Sequence, residues 1–437
     1  MHTVPGKSLQ MAAAAVGRGP LTAAAIEGRL VALGGRAGRR LRRIAEGLAR
    51  RFETGRRPSA REIELALRQD KGFARVWRRV QPRLDALPPS CMQPGPVAAA
   101  WSVPPLVSPP ALAAWLGLTV EELHFLARCR TGEAHAYRWR WISRRGGVPR
   151  LIEAPRTRLA WVQRRILHGI LAHVPAHPAA HGFVRGRDVV SAASIHAGRS
   201  CVLRMDVRDF FASFGCGRVR RVFFQMGYPE EVAGLLARLC TSVTPGAVRA
   251  AGLAAHGPAA ERLERALQRR HLPQGAPTSP ALANLCAYRI DARLSGLARR
   301  FAADYTRYAD DLLFSGAEGF ARDARRCELH AAAILLEEGL AAAHHKTRRM
   351  PASVSQRALG LVLNAALGVP RRERERLEAI LHNCMRHGAD TQNREGHPNF
   401  RAHLLGRIAQ VARVQPRIAA RLRVLFDSVS WTPRVIP

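Results

Sequence analysis

Two adjacent aspartates, Asp310 and Asp311, are the residues of this sequence best suited to do chemistry. They lie within Tyr305–Phe314, where aromatic and aliphatic side chains flank the acids on both sides. Such a pattern predicts a β-hairpin that carries two carboxylates at its tip. Because adjacent carboxylates repel each other and resist burial, the tip needs a cation. Taken alone, the pair could also be two solvated aspartates in a surface turn.

A third carboxylate and a polar loop favour the chemical interpretation. Asp206 ends the apolar run Val202–Asp206, and Leu272–Pro280 forms a polar loop that opens a helix. Mg²⁺ prefers oxygen ligands and keeps waters and substrate phosphates in its shell. Two such ions stabilise the attacking and leaving oxygens of an in-line phosphoryl displacement. We therefore expect Asp206, Asp310 and Asp311 to converge on two Mg²⁺ ions.

The charge of the chain points to a polyanionic substrate. The 437 residues include 69 Lys and Arg against 33 Asp and Glu, a formal net charge of +36. A charge of this size repels itself unless a polyanion neutralises it, and nucleic acid is the commonest one inside a cell. GC-rich coding would also favour arginine, but it favours alanine and glycine as well and so does not demand a net charge. Lys346 is the only lysine after Lys71.

Composition argues against several other classes of protein. No apolar run reaches the roughly 18 residues that a membrane span needs, and the N-terminus has no uninterrupted hydrophobic region before a small-residue cleavage site. The eight cysteines never form a Cys-x-x-Cys pair, which disfavours a zinc ribbon and a disulfide framework. We expect a cytoplasmic protein with reduced thiols and no membrane partner.

Composition also divides the chain into an extension, a linker and a core. Residues 1–86 are basic and helical in pattern, with Ser59 and Glu62 as a capping box that starts one helix. Residues 87–110 contain eight prolines and no charged residue, as expected of a linker or of a stretch packed along another surface. From Ala111 the pattern changes to short helices and strands.

Two helices and a hairpin are predicted at the start of the core. Ala111–Leu116 and Val120–Cys129 read as helices, which either form a helix-turn-helix that reads DNA or buttress a larger domain. Aromatic residues and arginines alternate over Tyr137–Trp141, and Arg150–Pro155 reads as the returning strand. An arginine-bearing hairpin could clamp phosphates, although an ordinary edge hairpin has the same pattern.

Together these blocks resemble the motifs of reverse transcriptases. Tyr308–Asp311 resembles the YxDD box, and Gln274–Pro280 resembles the QGxPxSP loop. Shorter blocks extend the resemblance over residues 111–385. They are similar to the fingers motif, the block after it, motif D and the primer grip, at Arg150–Pro155, His181–Arg187, Ala341–Thr347 and Leu359–Asn364.

The resemblance implies an α+β fold, the right-hand polymerase with fingers, a palm built on an antiparallel sheet, and a helical thumb. Fingers and palm would occupy residues 111–365. The thumb would occupy residues 366–437, with helices at Arg371–Asn383 and Ala402–Phe426, and residues 1–86 would be an α-helical N-terminal extension. These lengths leave no room for an RNase H or endonuclease domain of usual size. Template degradation would then come from a host RNase H acting separately.

The resemblance also implies the activity of an RNA-directed DNA polymerase, a nucleotidyltransferase that adds dNTPs to a primer. Asp206, Asp310 and Asp311 would be the catalytic metal ligands, with two Mg²⁺ ions as cofactors. The backbone at Val207 would cradle the triphosphate, and Arg150 would clamp it from the fingers.

Four more residues acquire roles from the resemblance. Phe211 would stack under the sugar and exclude a 2′-OH, unless it is plain core packing. Gln274 and Gly275 would lie against the templating pair, where a side chain would collide. Lys346 is the candidate general acid for pyrophosphate, because lysine can give up a proton and arginine cannot. If Lys346 only contacted a phosphate, arginine would serve equally well.

Within the superfamily the chain most resembles bacterial retron reverse transcriptases. That resemblance implies a structured non-coding RNA as template and primer, a branched RNA–DNA product, antiphage defence and a possible effector protein. Two segments depart from the retron pattern: Ala192–His196 replaces the usual Asn-Ala-x-x-His, and Ala358–Gly360 replaces Val-Thr-Gly. The alternatives are a group II intron-like, diversity-generating or other defence-associated reverse transcriptase, or a catalytically silent RNA-binding protein.

Overall fold

The computed structural model describes residues 6–53, 57–77, 80, 91–128, 136–144 and 147–431. Parts of the predicted linker and of the predicted hairpin turn lie outside the described residues, as does Cys129. The chain divides into two compact units. The first unit consists of residues 1–175 and 211–286, and the second of residues 176–210 and 287–437.

The elements before residue 200 are mostly helices. In chain order they are α1 (Gly6–Gly17), α2 (Ala23–Ala32), α3 (Arg39–Arg51), α4 (Ala60–Gln69), α5 (Lys71–Trp77), α6 (Pro109–Leu116), α7 (Val120–Arg128), β1 (Tyr137–Arg144), β2 (Gly147–Pro155), α8 (Thr157–Gly169) and α9 (Val189–Ser194).

The elements after residue 200 include the main sheet. In chain order they are β3 (Cys201–Asp206), α10 (Cys216–Gln225), α11 (Glu230–Leu239), α12 (Gly246–Leu253), α13 (Glu261–Leu267), α14 (Ser279–Arg300), β4 (Ala303–Tyr308), β5 (Asp311–Gly316), α15 (Glu318–Glu337), β6 (Arg348–Pro351), β7 (Arg357–Ala358), β8 (Leu361–Val362), α16 (Arg371–His387), α17 (Ala389–Gln392), α18 (Phe400–Ala412) and α19 (Pro416–Asp427).

In the first unit, helices α1–α5 enclose an apolar core of their own. Phe73 and Trp77 are fully buried in it and stack with their ring centroids 5.1 Å apart. The capping box predicted at Ser59 and Glu62 is confirmed at the start of α4. There the Ser59 hydroxyl accepts from the Glu62 N–H, and the Glu62 carboxylate accepts from the Ser59 N–H. Reciprocal capping satisfies backbone donors that the first helical turn leaves unpaired.

Helices α6 and α7 confirm the predicted helix pair at the start of the core. Ser108 caps α6, and Gly117 ends it with a φ of +65°, a conformation that glycine adopts without steric cost. Both helices pack on α11. This packing is that of helices that buttress a larger domain.

The predicted hairpin is present as the antiparallel pair β1–β2. Its register places Trp139 opposite Glu153 and Ile142 opposite Arg150. Trp139 and Leu151 belong to a small apolar cluster that α12 and α13 complete. The hairpin is therefore anchored on one face, while Arg150 remains exposed.

The second unit is built on a four-stranded antiparallel sheet in the order β4-β5-β3-β6. Cys201, Val202, Leu203 and Met205 of the central strand β3 are all buried. Residues from both faces of the strand are thus covered, as expected of a near-continuous apolar run. Helix α15 packs on β3, β5 and β6.

The C-terminal helices α16, α18 and α19 share a separate apolar core that includes Leu381, Leu404 and Leu422. The prediction of one helix over Ala402–Phe426 is wrong, because two helices occupy this range. Pro416 lacks an N–H and cannot continue α18, but it suits the first turn of α19. No helix among the described residues is long and apolar enough to cross a membrane.

Candidate active site

Strand register brings the three predicted carboxylates to one end of the second unit's sheet. β3 pairs with β5 so that Asp206 lies opposite Asp311, and β4 pairs with β5 so that Tyr308 also lies opposite Asp311. Ala309 and Asp310 form the turn between β4 and β5, with Ala309 at a φ of +55°. The predicted hairpin with two acids at its tip is present.

Burial and mutual repulsion raise the pKa values of two of these acids, Asp310 and Asp311. Burial raises the pKa of Asp310, and the nearby Asp206 carboxylate raises it further. Burial also raises the pKa of Asp311, which the Arg204 guanidinium partly offsets. Raised carboxyl pKa values mean that positive charge at this end of the sheet would stabilise the ionised acids.

Two basic side chains already contact the acids. The Lys346 ammonium donates to both carboxylate oxygens of Asp206, each 2.9 Å from Nζ. Arg204 donates from Nε to Oδ1 of Asp311 at 2.9 Å. The segment before Lys346 is tied to the same strand end, because the Ala343 N–H donates to the Asp206 carbonyl at 2.7 Å. Lys346, predicted from the sequence, therefore belongs to this site.

Arg204 is a site residue that the sequence analysis missed. Side chains two positions apart on a strand point to the same face, so Arg204 and Asp206 share a face of β3. The alternation was visible in the sequence, but the partner carboxylate, Asp311, lies on β5 and is identified only by the register.

The donor set fits a divalent cation. All three side chains offer carboxylate oxygens, the ligands that Mg²⁺ prefers. No group of three or more His, Cys, Asp or Glu within the described ranges is arranged to hold a metal by itself. Mg²⁺ is usually bound by one or two carboxylates together with waters and substrate phosphates. Asp206, Asp310 and Asp311 therefore suit an open ion site that a substrate completes.

A buried ion pair holds the acidic turn from behind. Arg307 donates from Nη2 to Oδ2 of Asp291 at 2.6 Å and from Nε to Oδ1 at 2.8 Å, and both side chains are almost fully buried. The Tyr305 hydroxyl also donates to Asp291, and Arg307 reaches the Ala309 carbonyl at 3.3 Å. Arg307 thus links α14 to the turn before Asp310. This pair was not predicted from the sequence, although an arginine inside an apolar strand was a visible signal.

The block His181–Arg187 packs directly against the same turn. The His181 N–H donates to the Arg307 carbonyl, and the Arg307 N–H donates to the Ala179 carbonyl, both at 2.8 Å. A Cβ added to Gly182 would lie 2.6 Å from the Ala309 nitrogen. Glycine at 182 is therefore required by the close approach of the turn backbone.

Comparison with known proteins identifies the family. The family described as "Reverse transcriptase (RNA-dependent DNA polymerase)" matches residues 142–363, which contain all three carboxylates and Lys346. The chain belongs to the reverse transcriptases. Its activity is that of an RNA-directed DNA polymerase.

Similar proteins place this reverse transcriptase with the retron enzymes. It is 41% identical over 313 residues to the retron Mx65 reverse transcriptase of Myxococcus xanthus, covering 71% of this chain and 69% of that protein. It is 37% identical over 296 residues to the retron Mx162 enzyme of the same organism, covering 64% and 59%. The retron Ec86 reverse transcriptase of Escherichia coli is 28% identical over 250 residues, covering 56% and 69%.

One of the two segments that depart from the retron pattern, Ala192–His196, has both of its ends in the interior of the reverse transcriptase. His196 is fully buried, with Nδ1 2.7 Å from the Ser315 hydroxyl and Nε2 2.8 Å from the Thr306 hydroxyl. Burial lowers its pKa to about 3. Ala192 is also fully buried. His196 therefore joins β4 to β5 and supports the sheet behind the turn that carries Asp310.

Four predicted site residues of the reverse transcriptase belong to the first unit. Arg150 is exposed on β2, and Phe211 is half-buried in the turn before α10. The Gln274 carbonyl accepts from the Glu153 N–H at 2.8 Å. Gly275 has a φ of +123°, and an added Cβ would lie 3.2 Å from the Glu153 carbonyl oxygen. A side chain at Gly275 would thus press on the strand β2, while its predicted position against the templating pair stays a prediction.

A buried network holds the strand β2 of this reverse transcriptase beside that loop. The Glu153 carboxylate accepts from the Thr244 hydroxyl at 3.0 Å and the Trp139 indole at 3.2 Å, and it lies 2.7 Å from the His271 imidazole. Burial alone would lower the pKa of His271, but the adjacent Glu153 carboxylate outweighs it and raises that pKa. The network fixes the hairpin against the Leu272–Pro280 loop.

The Val207 amide has a partner within the fold. Its N–H donates to the Asp310 carbonyl at 2.9 Å, and its side chain is buried. This hydrogen bond ties the end of β3 to Asp310, so Val207 helps to bring Asp206 and Asp310 together. The predicted cradle for the triphosphate at the Val207 backbone stays a prediction.

Proposed function

We propose that this reverse transcriptase is the polymerase of a retron that copies part of a structured non-coding RNA into single-stranded DNA. The observation that best supports the polymerase activity is the convergence of Asp206, Asp310 and Asp311 at one end of the sheet. All three lie inside the segment that matches the family. Similarity to retron enzymes favours a branched RNA–DNA product and a part in antiphage defence, with an effector protein as a possible partner.

The three carboxylates would hold two Mg²⁺ ions, in a family that generally uses divalent metals. When bound, these ions supply a lowered pKa for the primer hydroxyl and charge neutralisation for the leaving pyrophosphate. Arg204 orients Asp311 through its hydrogen bond, and the Val207 amide holds the Asp310 backbone. The chain itself thus positions the acids before substrate arrives.

Lys346 would donate a proton to the leaving pyrophosphate. Its ammonium lies at Asp206 and its side chain is 43% exposed, so it can reach an incoming substrate. Lysine can release a proton at this step, whereas arginine remains charged. Contact with Asp206 keeps the ammonium near the reacting atoms.

In the polymerase we assign the sheet of β3–β6 to the palm, the β1–β2 hairpin to the fingers, and α16–α19 to the thumb. Arg150 on the hairpin would clamp the triphosphate. Phe211 would exclude a 2′-OH, and Gln274 with Gly275 would lie near the templating pair. Helices α1–α5 would form the N-terminal extension.

The catalytic proposal predicts the result of one substitution. Asp310→Asn removes a carboxylate charge from the turn but keeps its size, so the fold is retained while cation binding is weakened. We expect primer extension on an RNA template with dNTPs and Mg²⁺ to fall below detection. Asp323→Asn, a half-buried acid on α15, is the control and should extend normally. Extension by Asp310→Asn at the wild-type rate would contradict the proposal.

The retron assignment is tested separately by sequencing nucleic acid that copurifies with the protein. A branched molecule, in which DNA is joined to an internal 2′-OH of RNA, supports the assignment. Only linear products would instead indicate an intron-like, diversity-generating or other defence-associated reverse transcriptase. In the proposed retron, an RNase H of the host, acting separately, would remove the copied RNA.

A further inference from the structure

Helix α3 carries more positive charge than the fold uses. Residues 36–51 include seven arginines and one acid, Glu46. The apolar side of the helix, which includes Leu41, Ile44 and Leu48, is buried in the core of α1–α5. Arg39, Arg43 and Arg50 lie on the opposite side, and all the arginines of this range are exposed.

Only part of this charge has a partner. Arg42 pairs with Glu27 at 3.3 Å, and Arg51 donates to the Gln69 side chain at 3.1 Å. For the remaining arginines of α3, the described part of the chain provides no hydrogen-bond or ion-pair partner. We call them the α3 arginine surface: Arg39, Arg40, Arg43 and Arg50.

Arg57 shows how this protein uses an arginine for folding. Its guanidinium donates to the carbonyls of Gly227, Tyr228 and Gly17 at 3.0 to 3.4 Å and lies 4.2 Å from the centroid of the Phe224 ring. The α3 arginine surface makes no such contacts. High arginine content therefore does not itself imply that each arginine supports the fold.

The arginines of the α3 arginine surface repel one another, which destabilises the helix. Arg39 and Arg43 are one helical turn apart, where like charges destabilise a helix. At about 100° per residue, Arg39, Arg43 and Arg50 fall within an arc of roughly 40° and span about 16 Å along the axis. A row of cations of this length matches the backbone of a polyanion, which would relieve the repulsion.

We propose that the α3 arginine surface binds the phosphate backbone of a folded RNA stem. The choice of RNA rests on the reverse transcriptase family, whose template is RNA. The surface lies outside residues 142–363, so this binding would be additional to template copying. It would tether a structured RNA to the enzyme through the extension, whatever sequence the RNA has.

Salt dependence of RNA binding tests the proposal. The variant Arg39→Gln/Arg43→Gln/Arg50→Gln keeps helix propensity, since arginine and glutamine are similar in this respect. The control, Arg322→Gln/Arg325→Gln/Arg326→Gln, removes three exposed arginines from α15. Fluorescence anisotropy with a labelled RNA hairpin is measured for both full-length variants over a series of KCl concentrations. A DNA hairpin of the same sequence is measured in parallel.

The expected result is specific to α3. The dependence of log K on log[KCl] for the RNA hairpin should become less steep by about two to three in the α3 variant, since each of the three lost phosphate contacts removes nearly one unit. The control should change it by less than one unit, and both variants should unfold at the wild-type temperature. An unchanged RNA slope in the α3 variant, or an equal change in both variants, would overturn the proposal, as would a loss confined to DNA.

A separate assay keeps this proposal distinct from the polymerase mechanism. Extension of a short primer on a short template should be unchanged in the α3 variant, because the substituted residues belong to the first unit, whereas the three carboxylates and Lys346 belong to the second. Loss of extension together with an unchanged RNA slope would count against the α3 surface and leave the carboxylate site to be judged by Asp310→Asn.

Discussion

At the scale of single residues, Lys346 combines two properties that a proton donor needs. It contacts Asp206, which we propose as a metal ligand, and it remains 43% exposed. Arginine at this position would preserve the ion pair, because both side chains are cations with several donors. Only the ability to release a proton would be lost.

Lys346→Arg therefore separates proton donation from charge. We expect single-turnover incorporation to slow by about 10²-fold, the lower range for loss of a general acid. Stability should change little because the contact with Asp206 can be remade. Lys71→Arg, an exposed lysine of α5, should incorporate at the wild-type rate. A near-native rate for Lys346→Arg would leave Lys346 as a phosphate or carboxylate contact only.

His196 controls how stability depends on acid. Because burial lowers its pKa to about 3, the folded protein holds it neutral, whereas the unfolded chain binds a proton near pH 6.5. Stability contributed by the neutral imidazole is present above the unfolded pKa and declines as pH falls. The decline amounts to about 1.4 kcal/mol per pH unit for this group.

His196→Gln should flatten that dependence. Glutamine can still hydrogen-bond to the hydroxyls of Ser315 and Thr306 but does not titrate. We expect denaturant unfolding between about pH 6.5 and pH 4 to lose less free energy in the variant than in the wild type. Asp310 and Asp311 titrate in both proteins and cancel in the comparison. Parallel curves for the two proteins would mean that His196 is not held neutral by burial.

At the scale of elements, the turn that carries Asp310 depends on the segment Ala179–Gly182, which contributes no acid to the site. The chain at Ala179–Gly182 pairs with Arg307 on β4, and Gly182 lies against the backbone of Ala309. The buried pair of Arg307 and Asp291 braces the same turn from α14. The geometry of Asp310 is thus set by α14 and β4 together with a segment more than 100 residues before Asp310 in the sequence.

Gly182→Ala should impair catalysis more than folding. Its Cβ would lie 2.6 Å from the Ala309 nitrogen, so the turn must shift and move Asp310. We expect the extension rate to fall by about 10²-fold, as for small misplacements of catalytic groups. Gly217→Ala, where an added Cβ meets nothing within 4 Å, is the control. Wild-type extension by Gly182→Ala would mean that the turn tolerates displacement.

At the scale of the whole molecule, arginines serve different ends in different places. Arg57 and Arg307 make contacts that support the fold. Arg204 forms an ion pair with Asp311, and Lys346 forms one with Asp206. The arginines of α3 remain at the surface. Net charge alone indicated a nucleic-acid partner, but only contacts separate the arginines that fold the protein from those available to bind.

Local sequence pattern and total charge were enough to identify the candidate acids, to predict the hairpin that carries two of them, and to indicate a polyanionic partner. These features depend on local pattern: two-residue alternation in strands, turn residues, and total charge. The family motifs added the expected fold and the role of Lys346. They are short segments, so neighbouring residues suffice to reveal them.

Only the tertiary structure decided which distant residues act together. The pairing of Asp206 with Asp311, the buried contact of Arg307 with Asp291, and the approach of Gly182 to the turn all join separate elements. Such contacts follow from strand register and from packing in the interior, which local pattern does not specify. For the same reason, the contacts of His196 with Thr306 on β4 and Ser315 on β5 are seen in the structure and do not follow from the motif.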